Sequence, residues 1–241
     1  MAHDPVLVTG ASRGIGAAVA AALSAAGWPV VLNARSAGPL REVAARCGDA
    51  PVVVGDCADE GVVRAMVDAA GPRLGGFVHN AAVGLSGPLL WETDAAAARA
   101  VYDVNVTAGL HLARLALPRM AGGFAVIVGS GAAARPIPGM GAYCVAKAAA
   151  EHLARQIAAE RPDVLAFVFR PGVVDTQMQA EARESAGGAG EALRGMFRGY
   201  QQQGLLTQPE EVAAVLVDAV AAPHTELHGG LLDAHAVLRP A

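Results

Sequence analysis

At 241 residues the chain is long enough to bury a core of its own, and α/β folds of this length are commonly a single unit. Apolar residues make up 54% of it, the excess mostly alanine, and aromatic residues only 4%, a balance that describes alanine-rich helices packed on a sheet and argues against an aromatic stacking platform for single-stranded nucleic acid. With a formal net charge of −4 and only scattered arginines, neither nucleic acid nor an anionic membrane is an expected partner.

The N-terminus, Met-Ala-His-Asp-Pro, lacks the basic and apolar regions of a signal peptide, so cytoplasm is the expected location. Pro5 to Thr9 is a short apolar, β-branched run that stops at Gly10, gives way to Ala11-Ser12-Arg13-Gly14-Ile15-Gly16, and continues as an alanine-rich helix to Ala26. Gly10 permits the tight turn, Gly14 lets backbone approach a phosphate, and Gly16 lets the helix pack on the strand, so that a pyrophosphate can sit on the helix N-terminus. Any tight strand-to-helix turn wants glycine, but a strand before and a helix after favour the dinucleotide reading. Residues 17 to 34 are apolar enough to tempt a membrane assignment, yet Gly27, Trp28 and Pro29 break the run into a helix followed by a strand.

That second strand, Pro29 to Asn33, ends in Asn33-Ala34-Arg35-Ser36. An acidic residue at this strand end would hold the ribose 2′-hydroxyl of NAD, whereas arginine accommodates the 2′-phosphate of NADP. There is no carboxylate here, and Arg35 with Arg13 makes a guanidinium fork for the phosphate, so NADP is the expected cofactor; the competing reading is two exposed arginines at loop ends. A short helix follows around Pro39 to Ala45, then a buried-strand run, Pro51 to Gly55, ending in Asp56-Cys57. Asp56 is placed either to meet an adenine amine or to cap a helix beginning near Asp59. The three cysteines, Cys47, Cys57 and Cys144, are an odd number without paired short spacings and read as free thiols.

Gly76-Phe77-Val78 leads into His79-Asn80-Ala81-Ala82, where small residues after a strand leave room for a flat cofactor. His79 has no partner at ligand spacing and reads as a hydrogen-bonded core histidine rather than a metal ligand. One long helix is predicted from Thr93 to Pro118, with Asn105 in its interior marking a kink or a bound water. The strand Phe124 to Val128 ends at Gly129-Ser130-Gly131. Thirteen positions after Ser130 comes Tyr143, within Gly141 to Ala149, a helical stretch that sets Tyr143 and Lys147 one turn apart on one face. A free tyrosine keeps its proton to pH ~10, and a fixed cation beside it is expected to lower that value. Serine, tyrosine and lysine facing one crevice make a candidate proton-transfer site.

Val164 to Phe169 is another buried strand, followed by Arg170-Pro171-Gly172-Val173-Val174-Asp175-Thr176. From about 176 to 206 no strand pattern occurs, although Met178, Leu193, Met196, Phe197 and Tyr200 can line one side of short helices, and a substrate lid is expected. Thr207 with Glu210 resembles a capping box opening a last helix to about Val220, and Gly230 to Asp233 closes as a strand. His224 and His228 are four apart, but Pro223 and the following glycines speak against a helical metal pair.

Taken together these motifs resemble the short-chain dehydrogenases/reductases, in their shorter single-domain branch, over nearly the full length. Thr9 through Gly16 looks like the family's nucleotide-binding motif, and Asn105, Ser130, Tyr143 and Lys147 fall in the order of its catalytic tetrad. Pro171, Gly172 and Val173 through Thr176 are similar to the segment that contacts the nicotinamide and its phosphates. Two positions depart: His79-Asn80-Ala81-Ala82 stands where Asn-Asn-Ala-Gly is usual, and Ala108 where glycine is common. From Pro171 onward the chain is also locally similar to the sepiapterin reductase and benzil reductase group.

The resemblance implies an α/β, Rossmann-type, doubly wound sheet of seven mostly parallel strands with helices on both faces. It implies a cofactor site at Gly10, Ser12, Arg13, Gly14, Ile15, Gly16, Asn33, Arg35, Ser36, Asp56, Cys57, Asn80, Ala81, Tyr143, Lys147, Pro171, Gly172, Val173 and Thr176. The expected activity is reduction of a small-molecule carbonyl by NADPH: Tyr143 protonates the oxygen, Ser130 orients it, Lys147 keeps the phenol acidic, and Asn105 fixes a water. An apolar, adaptable lid fits an aromatic or vicinal dicarbonyl compound. The alternatives are a 3-oxoacyl-thioester reductase or alcohol dehydrogenase with the same tetrad and, from another class, a non-catalytic NADP(H)-binding sensor. The helices at Thr93 to Pro118 and Gly141 to Glu160 are expected to pair across a two-fold axis into a homodimer or homotetramer.

Overall fold

The computed structural model describes residues 3–222 and 225–239. Short, largely apolar runs separated by helices form β1 (Val6–Thr9), β2 (Val30–Ala34), β3 (Val52–Val54), β4 (Leu74–His79), β5 (Met120–Val128), β6 (Leu165–Arg170) and β7 (Leu231–Asp233). They make one sheet in the order β3-β2-β1-β4-β5-β6-β7. Every neighbouring pair is parallel, so the expected mostly parallel sheet is wholly so.

A parallel sheet is covered on both faces, and successive side chains of a strand point to opposite faces. Val6 and Val8 of β1 join Val126, Val128, Phe167 and Phe169 under α1 (Gly14–Ala25), α2 (Ala37–Arg46) and α9 (Pro209–Ala221). Leu7 joins Phe77, Ala125, Ile127 and Val168 under α3 (Glu60–Ala70), α5 (Ala108–Ala116) and α6 (Gly141–Glu160). A third, smaller cluster lies outside the sheet, where α7 (Gln177–Ala182) and α8 (Gly190–Gln202) cover Met140 and Tyr143. Among the described residues no helix is long and apolar enough to cross a membrane.

Several local expectations need correction. The helix predicted from Thr93 to Pro118 is α4 (Ala95–Tyr102), a π-helical turn (Asp103–Thr107), α5 and a closing 3-10 turn. The wide turn falls at Asn105, where an amide side chain competes with the helix backbone. Asp59, not Asp56, caps α3 by accepting the Gly61 N–H at 2.7 Å; Asp56 accepts from Ala58 N–H in the preceding turn. The cap of α9 is one residue later than Thr207–Glu210: Glu211 accepts the Gln208 N–H at 2.9 Å, with Pro209 in the first turn. A short α10 (Ala234–Leu238) follows β7. His224 lies outside the described residues, and His228 Nε2 is 3.1 Å from the Ala158 carbonyl. Cys47 and Cys57 are buried, Cys144 is half-buried, and all three are free.

Close approach of α1 to the sheet depends on Gly16, where a methyl group would collide with the Gly10 carbonyl oxygen and the Asn80 amide. Both neighbours are held by hydrogen bonds and cannot yield without moving the turn. Gly16→Ala is therefore expected to lower the urea-unfolding free energy by about 1–3 kcal/mol. An unchanged unfolding midpoint would contradict this packing.

Candidate active site

With all strands parallel, the carboxyl ends of β1 through β7 lie along one edge, and the chain order reverses between β1 and β4, opening a crevice above that edge. Thr9, at the end of β1, organises the crevice floor. Its buried hydroxyl accepts the N–H groups of Asn80 and Ala81, each at 3.1 Å, and lies 3.2 Å from His79 Nδ1. Asn80 returns the tie, donating its amide to the carbonyls of Thr9 and Gly10 at 3.0 and 3.2 Å. Asn80 thus braces the glycine turn, and Ala81 packs directly on Gly10.

Gly10 and Gly14 have φ of 65° and 54°, values that side-chain-bearing residues rarely adopt. Arg13 caps α1 without a side-chain hydrogen bond, and no acidic residue stands in the first turn, so the helix N-terminus keeps donors for an anion. Ser12 and Ile15 border this turn half-buried, while Arg13, Arg35 and Ser36 are exposed around it. The residues present fit a dinucleotide phosphate. Two predicted cofactor residues direct their side chains elsewhere. Asn33 is buried and donates to the carbonyls of Val53 and Gly55 at 3.0 and 3.1 Å, tying β2 to β3. The Cys57 thiol is buried in the core, and burial first, with Asp56 adding, pushes it up to about 12.

Asn105, Ser130, Tyr143 and Lys147 all meet at this edge. Tyr143 and Lys147 are buried on one face of α6, with Nζ 5.8 Å from the phenol ring centre. Lys147 Nζ donates to the Val128 carbonyl at 2.8 Å, anchoring the helix to the end of β5. Asn105 is held by a two-point amide pair, accepting the Val83 N–H at 3.1 Å and donating to the Val83 carbonyl at 2.8 Å. Each of its amide atoms makes one hydrogen bond to Val83, which fixes the side chain against that residue.

The electrostatics also depart from expectation. Burial pushes the Tyr143 phenol up to about 12; the Ser130 hydroxyl opposes the rise and Cys144 adds to it. Burial acts on Lys147 as well, pulling the ammonium down to about 8 against the raising influence of Glu151. His79 is the core histidine expected, with burial first and Lys147 second lowering it to about 4, while the backbone of Asn105 and Val104 opposes. Its Nε2 has no hydrogen-bond partner among the described residues.

Beyond β6, Pro171 is buried, Gly172 is exposed with φ of 79°, and Val173 and Thr176 are half-buried. Thr176 touches the glycine turn, since a methyl at Gly14 would lie 3.2 Å from its Cγ2. Val174 forms a parallel bridge with Thr207, so the excursion between them leaves and returns at one point. Its α7 and α8 place Met178 Sδ 4.0 Å from the Tyr143 hydroxyl and bury Leu193 and Phe197 around the phenol.

Glu151 and Arg170 were not foreseen. Glu151 sits one turn beyond Lys147, 2% exposed, and its carboxylate receives Arg170 Nε and Nη2 at 2.7 Å each. A carboxylate on the inward face of an alanine helix was the available signal. So was composition: Lys147 is the only lysine in the chain.

A wholly parallel sheet with a glycine turn at its switch point and a buried tyrosine–lysine pair at its carboxyl edge defines a Rossmann-type oxidoreductase. The chain belongs to the short chain dehydrogenase family, whose model matches residues 4–187. It is 34% identical over 237 residues to a benzil reductase of Saccharomyces cerevisiae that forms (S)-benzoin, covering 89% of each chain. It is also similar to the crystal structure of the S. cerevisiae short chain dehydrogenase/reductase YIR035C, with a TM-score of 0.88 at 33% identity over 96% of both chains. A short chain dehydrogenase of Burkholderia cenocepacia solved in complex with NADP superposes with a TM-score of 0.81 at 27% identity, covering 96% of each.

Because Lys147 falls from its ordinary 10.5 to about 8, the folded chain binds fewer protons than the unfolded chain between those pH values. Stability from this group therefore rises with pH across that window, by about 1 kcal/mol per pH unit at most. Tyr143, raised from 10.0 to about 12, acts in the opposite sense above pH 10. Urea unfolding of wild type and Lys147→Met from pH 8 to 10 should give diverging curves, the variant lacking the rise; parallel curves would show that Lys147 is not desolvated.

Proposed function

We propose that this protein is an NADPH-dependent carbonyl reductase that acts on ketones or vicinal dicarbonyls, with Tyr143 as the proton donor. The observation that carries the reading is the convergence of Ser130, Tyr143 and Lys147 beside the crevice, under an apolar cover contributed by α7 and α8. When bound, NADPH supplies the hydride that the carbonyl carbon receives. Tyr143 gives its hydroxyl proton to the carbonyl oxygen, and Ser130 holds that oxygen in line. Lys147, fixed on the Val128 carbonyl, places positive charge beside the phenolate that forms as the proton leaves. Asn105 holds the π turn against Val83, and Glu151 opposes the loss of the Lys147 proton.

Arg13 and Arg35, both exposed at the adenosine end of the crevice, support NADP over NAD. Met178, Met196, Phe197 and Tyr200 support an apolar, adaptable substrate, in line with the benzil-reducing relative. The segment 176–206 acts as the lid of a single-unit enzyme. Met178 must leave the Tyr143 hydroxyl for a carbonyl oxygen to reach it. A 3-oxoacyl thioester is a second reading, favoured by one observation: Arg183 Nη1 is buried in the lid without a hydrogen-bond partner among the described residues. Arg194, by contrast, is committed to the Ser185 carbonyl at 2.5 Å.

Oxidation of NADPH and NADH by purified protein, followed at the nicotinamide absorbance with benzil, a sepiapterin-like diketone, an acetoacetyl thioester and an aromatic aldehyde, tests the reading. Turnover of the diketones with NADPH is expected, with kcat about a hundredfold or more lower in Tyr143→Phe while NADPH still binds. Arg35→Ala should raise the KM for NADPH and leave that for NADH nearly unchanged. Preference for NADH would remove the arginine argument, thioester turnover alone would select the second reading, and tight NADPH binding without turnover would mark a sensor.

The reading includes a homodimer or homotetramer built on α4, α5 and α6, whose outer faces leave Tyr102, Leu110 and Val145 exposed. Sedimentation velocity should find a species of twice or four times the chain mass. A monomer at micromolar concentration would refute it.

A further inference from the structure

Lys147 and Glu151 reach from the same buried face of α6 to the same short segment at the end of β5. Lys147 Nζ binds the Val128 carbonyl at 2.8 Å, and two residues on, the Ser130 N–H donates to Glu151 Oε1 at 3.2 Å. Gly129 lies between them and has to be glycine: a methyl there would stand 2.5 Å from Glu151 Oε1 and 2.7 Å from Val168 Cγ1. The carboxylate is then clamped from β6 by Arg170, whose Nε meets Oε1 and Nη2 meets Oε2, both at 2.7 Å. Arg155, one turn further along α6, holds its Nη2 3.9 Å from Oε2. Arg170 stands beside Asp233 in the β6–β7 register, and Asp233 stabilises its charge. Lys147, Glu151, Arg170 and Asp233 thus form a row of alternating charge across α6, β6 and β7. His79, at the end of β4, is the other titratable group facing Lys147 from a neighbouring element.

A buried ion pair is weak as a stabiliser, because apolar residues of similar volume usually do as well. The surrounding positions of this helix face are such residues: Ala146, Ala150, Ala154 and Ile157. The carboxylate is therefore retained for what it touches.

We propose that Glu151 and Arg170 are positioning residues of the active site: the clamped carboxylate holds the Ser130 loop in register and balances the buried charge of Lys147, and Arg170 sets how much of that carboxylate's charge Lys147 feels. The catalytic half of this statement rests on the reductase reading above; the charge coupling does not. Loss of the Glu151 charge leaves Lys147 facing Arg170 uncompensated. Loss of the Arg170 charge leaves Glu151 to Lys147 and the more distant Arg155. The two neutral variants must move Lys147 in opposite directions, and the positioning of the Ser130 loop is read separately, in kcat.

The unique lysine makes this directly readable, since full-length protein labelled at the lysine side-chain carbon gives a single resonance whose pH midpoint belongs to Lys147. The midpoint is expected to fall by about one pH unit in Glu151→Gln and to rise by a similar amount in Arg170→Gln. Arg170→Lys keeps the charge but not the two-point clamp and adds a second lysine resonance, identified in Lys147→Met/Arg170→Lys; the Lys147 midpoint in it should stay near the wild-type value. In carbonyl reduction, Glu151→Gln and Arg170→Lys should lower kcat about tenfold to a hundredfold with NADPH affinity retained. Midpoints that stay put or move the same way would overturn the proposal, as would unchanged kcat in both variants. If Glu151→Gln does not fold, the contrast between Arg170→Gln and Arg170→Lys decides alone. Opposite shifts in a protein that reduces no carbonyl would leave the charge coupling standing and refute the reductase reading instead.

Discussion

Every strand of the sheet runs in one direction, and the chemistry of the molecule follows from that. Parallel strands need a crossover after each one, so the helices cover both faces and the strand ends at one edge are left free of packing. Thr9, Ala34, Val54, His79, Val128, Arg170 and Asp233 are all such ends. Residues scattered through the chain, from the glycine turn at Gly10 to Ser130 and the segment after Arg170, are brought to one line because each follows a strand. The helix after a strand begins at the same edge, which is how α1 presents its N-terminus and α6 its Tyr143 to one crevice.

The candidate active site at this edge is a contest between burial and charge. The sheet and the apolar lid cluster dry the phenol and the ammonium together, and burial alone moves each away from its ionised form. The counterweights are hydrogen bonds and one carboxylate: the Ser130 hydroxyl on the phenol, the Val128 carbonyl on the ammonium, and Glu151 behind the ammonium. The protein's means of placing a buried cation is thus the strand end beneath it and the ion pair behind it, each supplied by a different element.

The architecture was largely legible from short-range pattern. Strand–glycine–helix at residues 5–26, the apolar β-branched runs and the alanine-rich helices each announce their local structure, because periodicity and backbone freedom act over a few residues. The residues proposed for catalysis were legible by their order along such elements. Asn105 was visible as an irregularity, a poor helix former inside a helix, and the structure gives it a π turn closed on Val83. Asn33 and Asn80 were identified by position, but their side chains stitch strands and turn together, which only the spacing of β2, β3 and the glycine turn reveals.

What remained hidden was the long-range electrostatics. Tyr143 and Lys147 at helical spacing suggest a phenol made acidic by a cation, and that inference holds for a wet helix surface. It reverses when the sheet and the lid remove the water, since the cost of desolvation depends on everything packed around the pair. Glu151 and Arg170 are separated by a strand and a helix end in sequence, and nothing local links them. Element types, their order and the identity of the reactive groups were carried by the chain itself, because they depend on neighbours a turn or a pleat away. The protonation balance of those groups, the clamp behind Ser130 and the closure of Met178 over the phenol were decided by tertiary packing, because they depend on which distant residues share a dry space.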